Sequence, residues 1–80
     1  MPVIIKYYTD EYTKHSESFA TADAVANISS LLAKEGFEYN KDVSLAEVYY
    51  AEGSGRQIIA FEFQDERRAM LIKLQGIKNG

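Results

Sequence analysis

The sequence lacks the side chains on which most small catalytic and metal sites depend. It has no cysteine and a single histidine, His15, in 80 residues. Without cysteine there is neither a disulfide framework nor a thiolate metal site, so stability must come from packing. His15 lies in a polar stretch with no ligand spacing or positioned nucleophile beside it. We therefore expect no enzyme activity, no catalytic residue, no metal and no cofactor.

Long apolar runs are also missing. The N-terminal run ends at Lys6, whereas a signal peptide needs about 7–15 apolar residues and a membrane span about 20. This pattern predicts a soluble cytoplasmic protein. The net charge of −3 and the pI of about 5.0 disfavour binding to a phosphate backbone.

The overall composition is that of a folded chain, with 46% apolar and 26% charged residues. We predict one small α+β domain over residues 1–80. Its expected architecture is a two-layer sandwich, with one or two helices packed on one face of an antiparallel sheet. The order of elements is βαββα, or ββαββα if residues 12–19 form a return strand.

Residues 21–35 show the clearest helical periodicity. Apolar side chains recur at spacings of three and four, at Ala24, Val25, Ile28, Leu31 and Leu32. Thr21 or Asp23 is the candidate N-cap. Gly36 suits the left-handed position after a helix, from which Phe37 would fold back onto Leu32.

Three segments alternate as half-buried strands do: residues 3–8, 45–52 and 56–63. Their predicted core-facing side chains are Val3, Ile5, Tyr7, Ala46, Val48, Tyr50, Ile59, Phe61 and Phe63. Residues 65–75 fit either a helix capped by Asp65 and ended by Gly76, or a further strand. An acid at the start and a lysine at the end favour the helix.

Residues 53–56, with the sequence GSGR, raise the question of a phosphate cradle. Phosphate-binding loops open a helix, whose N-terminal amides converge on the anion. Here the loop leads into a strand, and glycine is the usual residue wherever a tight turn needs positive φ. The sequence therefore predicts a hairpin bend with a three-residue link, residues 53–55.

The six tyrosines are the most unusual feature, and four of them form the adjacent pairs Tyr7-Tyr8 and Tyr49-Tyr50. Because neighbours on a strand face opposite ways, one ring of each pair must leave the core. We expect Tyr7 and Tyr50 to be buried and Tyr8 and Tyr49 to be exposed. The open sheet face would then carry the apolar patch Ile4, Tyr8, Leu45, Tyr49 and Ile58.

Aromatic patches of this kind are typical of protein interfaces. The leading hypothesis is a non-catalytic protein-binding module, such as a regulator, inhibitor or adaptor. Its partner-binding residues would be Tyr8, Leu45, Tyr49 and Ile58. The partner is another protein or a second copy in a homodimer, and the chain would suit a phage or mobile-element accessory protein.

The alternative is a nucleic-acid-binding regulator that uses the basic residues near the C-terminus. The candidate contacts are Arg56, Arg67, Arg68, Lys73 and Lys78. The signature of the common RNA-binding sheet is absent from the sequence. A weak internal repeat, which superposes Tyr7-Tyr8 on Tyr49-Tyr50, is a further open possibility.

Overall fold

A computed structural model describes residues 1–13 and 20–77 as a three-stranded antiparallel sheet with two helices. The elements are β1 (Val3–Tyr8), a 3-10 turn (Thr9–Glu11), α1 (Ala20–Lys34), β2 (Val43–Tyr50), β3 (Gln57–Phe63) and α2 (Glu66–Gln75). The strand order is β1-β3-β2. The predicted α+β architecture is confirmed. Of the proposed return strand, Tyr12 and Thr13 are not in a strand, and residues 14–19 lie outside the described residues.

The core lies on one face of the sheet. Ile59, Phe61 and Phe63 of the central strand β3 are each 0% exposed, as their alternation predicts. They belong to the same cluster as the buried residues of both helices: Ala24, Ile28, Leu32, Ala69 and Ile72. Both helices therefore cover one face of the sheet and leave the other open.

Helix α1 begins earlier than the sequence indicates. Since Ala20 is already helical, Thr21 and Asp23 lie inside the helix, and the prediction that either residue caps it was wrong. The C-terminal prediction is confirmed, because Gly36 has a φ of 91° and the Phe37 amide donates to the Leu32 carbonyl at 3.0 Å.

A shared acceptor, the Gln57 side chain, explains the role of Thr21. The Thr21 hydroxyl donates to Gln57 Oε1 at 2.6 Å, and the Thr9 hydroxyl donates to the same oxygen at 2.9 Å. Thr9 is only 5% exposed. The amide oxygen of Gln57 thus ties α1 and the 3-10 turn to the first residue of β3.

Glu66–Gln75 form a helix with Asp65 as its N-cap, which resolves the ambiguity between helix and strand. The Asp65 carboxylate accepts from the amides of Arg67 and Arg68, at 3.0 and 3.2 Å. Ala69 and Ile72 are buried, whereas Leu74 in the last turn is 82% exposed. Gly76 ends the helix with a φ of 73°.

The β2–β3 hairpin has a longer connection than the three residues predicted. Tyr50 pairs with Gln57, so the connection covers residues 51–56. A wider turn closes because the Ala51 amide donates to the Arg56 carbonyl at 2.8 Å and the Gly55 amide to the Ala51 carbonyl at 3.1 Å. Gly53 has a φ of 85°. Glycine here allows the positive φ that the turn requires, as expected for a bend.

Candidate binding surfaces

Three of the four predicted partner-binding residues form one row on the open face. Tyr8 of β1 and Tyr49 of β2 both pair with Ile58 of β3, so the two rings flank the isoleucine. Both tyrosines are half-buried. Ile58 is only 9% exposed, although no helix covers this face, because it lies in the central strand between the two rings.

Cations cover the two rings of this row. The Arg56 guanidinium carbon lies 3.6 Å from the centre of the Tyr8 ring. Lys6 Nζ lies 5.6 Å from the centre of the Tyr49 ring, and a hydrogen bond with Tyr49 raises the pKa of Lys6. The aromatic row therefore presents mixed cationic and apolar character, rather than the apolar patch predicted.

Arg56 is further engaged by two acids of the 3-10 turn. Its Nε donates to Asp10 Oδ2 at 2.9 Å, and its Nη2 donates to Asp10 Oδ1 at 2.7 Å and to Glu11 Oε2 at 3.2 Å. The Arg56 guanidinium lowers the pKa of Asp10, and Asp10 in turn raises the pKa of Arg56. The arginine of the GSGR stretch is thus held by carboxylates of its own chain. This geometry favours the hairpin interpretation over the phosphate cradle.

Leu45 was predicted to lie on the open face and Ala46 to face the core, and both predictions were wrong. Leu45 pairs with Phe61 and Glu47 pairs with Ala60, so Ala46 is an extra residue that bulges from the strand. A bulge reverses the alternation after it. Leu45 therefore lies on the helix side of the sheet, and Glu47 takes the open-face position.

The same bulge creates an exposed apolar strip on the helix side of β2. Val48 pairs with Ile59 and Tyr50 with Gln57, so both side chains lie on the same face as Leu45. The strip is completed by Tyr39, whose ring lies 6.5 Å from that of Phe61. The exposed fractions of Tyr39, Leu45, Val48 and Tyr50 are 38%, 39%, 37% and 67%. We call these four residues the β2 strip.

Tyr50 was predicted to be buried, and this prediction was wrong. Its strand face is the expected one, but β2 is an edge strand and the helices pack elsewhere, with α2 against β1. Facing the helix layer therefore does not bury Tyr50. Tyr7, in contrast, is buried as predicted, with 9% exposure. Burial raises the pKa of its hydroxyl, which finds no hydrogen-bond partner within the described part of the chain.

The superposition of Tyr7 on Tyr49 is not matched in space. Tyr7 belongs to the core face, whereas Tyr49 lies on the open face. The facing of these side chains therefore does not follow the weak internal repeat seen in the sequence.

Among the described basic residues proposed for nucleic-acid binding, Arg67, Arg68 and Lys73 lie on α2, and Arg56 lies apart from them. Arg56 precedes the first residue of β3, whereas Arg68 follows the strand's far end. Arg68 Nη2 donates to the Gly36 carbonyl at 2.5 Å, and its guanidinium carbon lies 4.3 Å from the centre of the Phe37 ring. Arg67 and Lys73 are exposed on α2, and Lys78 lies outside the described residues.

Comparison with protein families, with curated proteins and with solved structures finds no match to this chain. Within residues 1–13 and 20–77, no three His, Cys, Asp or Glu side chains group in a way that would hold a metal ion. His15 is outside those ranges. Neither helix of the described part of the chain has the length and apolar character needed to cross a membrane.

Proposed function

We propose that the chain is a non-catalytic protein-binding module, acting as a regulator, inhibitor or adaptor, and that it binds its partner through β2. One observation carries the proposal: an edge strand displays the β2 strip, in which Tyr50 is 67% exposed. Contiguous apolar side chains on the surface of a small protein are typical of interaction sites. Tyrosine is also enriched at interfaces, because its ring buries a large area at a low entropic cost.

The backbone of β2 adds a second means of recognition. Beyond the single bridge between Tyr39 and Val43, the side of β2 away from β3 pairs with no strand among the described residues. Unpaired amides and carbonyls of an edge strand can accept a further strand, which fixes the register while side chains supply specificity. A partner strand on β2 would meet Tyr49 on the open face and Val48 and Tyr50 on the helix side.

Two features of β2 limit indiscriminate pairing. The bulge at Ala46 interrupts the regular hydrogen-bonding edge, and Glu47 places a charge beside it. Bulges and charges are the usual protections of edge strands against aggregation. They restrict docking to the segment that follows the bulge, where Val48 and Tyr50 lie. Tyr8, at the far edge of the sheet and covered by Arg56, is peripheral to this contact.

The test compares two single variants that each remove one exposed apolar side chain. Tyr50→Ser alters the β2 strip, whereas Leu74→Ser removes a leucine that is 82% exposed on α2 and serves as the matched control. Immobilised wild-type protein and both variants are incubated with native lysate, and retained proteins are quantified by mass spectrometry. We expect Tyr50→Ser to retain at least about tenfold less of the specific partner than the wild type does, as for loss of a tyrosine near the centre of an interface. Leu74→Ser should retain it.

Equal retention by Tyr50→Ser and the wild type would contradict the proposal. The same capture, repeated at about 0.5 M salt, separates the two function classes, because an apolar interface tolerates salt that screens phosphate contacts. Nucleic acid retained at low salt and released at high salt would favour the nucleic-acid alternative.

A further inference from the structure

The backbone of β2 alternates between groups that bond to β3 and groups that point away from the sheet. The Ala51 amide donates to the Arg56 carbonyl at 2.8 Å, so Ala51 bonds towards β3. Because this direction alternates along an antiparallel pair, Tyr49 also bonds to β3. The amides and carbonyls of Val48 and Tyr50 therefore point to the free edge, where another strand can reach them.

The start of β2 offers less to an added strand. The Asn40 amide donates to the Val43 carbonyl at 2.7 Å, and Tyr39 forms a bridge with Val43. The bulge then interrupts the edge. Beyond it, Val48 and Tyr50 lie on the helix side and are 37% and 67% exposed. Residues of an added strand opposite these two would share their face, so they should be apolar.

Carboxylates stand at both ends of this segment. Glu47 precedes it on the open face, and Glu52 follows it in the exposed connection to β3. Within residues 1–13 and 20–77, neither carboxylate forms an ion pair. Arg56, which ends the same connection, is bound instead to Asp10, with Nη2 2.7 Å from Oδ1. The apolar centre of the free edge is therefore flanked by negative charge that the described residues do not pair.

Lys6 lies near Glu47 but does not cancel the acidic character of this edge. Its ammonium lies 5.6 Å from the centre of the Tyr49 ring, and the charge of Glu47 adds to a rise in the Lys6 pKa that Tyr49 mainly causes. Glu62 of β3 lies on the same face and balances this cation. The whole chain also has a net charge of −3. A basic segment would therefore be attracted both by the net charge and by Glu47 and Glu52.

A second copy of β2 does not match this pattern. In a two-fold antiparallel pair, the outward groups of Val48 in one copy would bond to those of Tyr50 in the other. Glu47 of each copy would then lie beside Glu52 of the other. Like charges at neighbouring positions of paired strands are destabilising. A different polypeptide that carries cations at these positions is the better occupant.

We infer, resting on the function proposed above, that the partner presents to β2 an extended segment whose apolar residues are flanked on both sides by lysine or arginine. The segment pairs its backbone with Val48 and Tyr50 and packs its apolar side chains against theirs. One of its cations lies near Glu47 and the other near Glu52. Backbone and apolar contacts supply most of the affinity, and the carboxylates select basic segments over acidic ones.

The probe is a fluorescein-labelled peptide with the sequence lysine, threonine, valine, threonine, valine, lysine, the usual strand length of about 5–6 residues. Paired antiparallel with residues 47–52, its valines meet Val48 and Tyr50 and its lysines meet the two glutamates. One control peptide has glutamate in place of both lysines. The other has proline in place of both valines, because proline removes the amides that would bond to the free edge.

Binding is followed by fluorescence anisotropy and located by NMR, through the shifts and the hydrogen exchange of backbone amides. In the free protein, the amides of Val48 and Tyr50 should exchange at least about tenfold faster than that of Tyr49, as amides without a partner do. We expect saturable binding of the lysine peptide, with shifts at residues 48–51 and slower exchange at Val48 and Tyr50. The glutamate and proline peptides should bind at least about fivefold more weakly.

The protein variants are Glu47→Lys and its matched control Glu35→Lys, an equal charge change at an exposed glutamate that follows α1. Glu47→Lys should weaken binding of the lysine peptide at least about threefold, because an attraction becomes a repulsion. It should also bind the glutamate peptide more tightly than the wild type does. Glu35→Lys should change either affinity less than about 1.5-fold, since a distant exposed charge is screened.

Absence of saturable binding by the lysine peptide would overturn the inference, as would shifts confined to β1 or equal effects of the two variants. Equal exchange of the Val48, Tyr49 and Tyr50 amides would also overturn it. The proposed function fails by a different result, which is retention of the lysate partner by Tyr50→Ser. If the lysine and glutamate peptides bind equally while Tyr50→Ser still loses that partner, the inference is wrong and the function stands.

Discussion

Replacing Gln57 by leucine removes an acceptor that two hydroxyl groups share. Thr9 is 5% exposed, so its hydroxyl, which lies 2.9 Å from Gln57 Oε1, would be left buried without a partner. A group in that position costs about 1–3 kcal/mol. Thr21 is only half-buried, and water can replace its 2.6 Å bond at a cost of about 0.5–1 kcal/mol. We expect Gln57→Leu to lower the free energy of unfolding by about 1.5–4 kcal/mol.

Urea unfolding, followed by circular dichroism and tyrosine fluorescence, measures this loss against a total stability of about 4–12 kcal/mol for a domain of this length. The double variant Thr9→Val with Gln57→Leu should recover part of the stability, because it leaves no buried hydroxyl unpaired at residue 9. A change below about 0.5 kcal/mol in Gln57→Leu would refute the reasoning. Strict additivity of the two single changes would refute it too.

Three further predictions test other contacts. Because Arg56 lowers the pKa of Asp10 from its usual 3.8, this carboxylate stabilises the fold above that value and loses the effect as the pH falls through its folded-state pKa. Urea midpoints between about pH 6 and pH 2 should therefore fall less steeply in Asp10→Asn than in the wild type. Leu32→Ala should cost about 2–5 kcal/mol, since Leu32 is 0% exposed, and an unchanged melting temperature would contradict its place in the core. Two residues inserted between Ser54 and Gly55 should lower the unfolding free energy by less than about 1 kcal/mol, because the connection is exposed; global unfolding would contradict that placement.

The parts of the fold that the sequence predicts correctly are those with one dominant local signal. In β3, the alternate residues Ile59, Phe61 and Phe63 are all fully buried. Only one assignment of alternate residues to the two faces of this strand places all three in the core. At the end of α1, the positive φ at Gly36 matches the special freedom of glycine. In α2, the Asp65 cap resolves an ambiguity that hydrophobic spacing alone leaves open.

The strand β2 shows why the remaining assignments failed. Leu45 and Val48 are 39% and 37% exposed although both face the helix layer. Burial therefore does not determine which residues of this edge strand face the core. Nothing in the local sequence marks Ala46 as a bulge, because no glycine or turn residue stands there. The position of Leu45 and the exposure of Tyr50 depend on pairing with β3 and on where the helices pack, and neither is encoded locally.

Local sequence patterns also did not predict the contact between the Arg56 guanidinium and the Tyr8 ring. The guanidinium covers the ring and binds Asp10, a residue far away along the chain. The sequence identified Arg56 as a candidate anion-binding group. The anion in this structure is supplied by the chain itself.

Site-specific photo-cross-linking tests the central claim, that β2 is the binding surface, most directly. The photoreactive residue p-benzoylphenylalanine replaces Tyr50 in one variant and Leu74 in the other, since both positions are well exposed. After irradiation in native lysate, we predict that position 50 yields a discrete cross-linked protein and that position 74 does not. Cross-links to the same protein from position 74, with none from position 50, would contradict the claim.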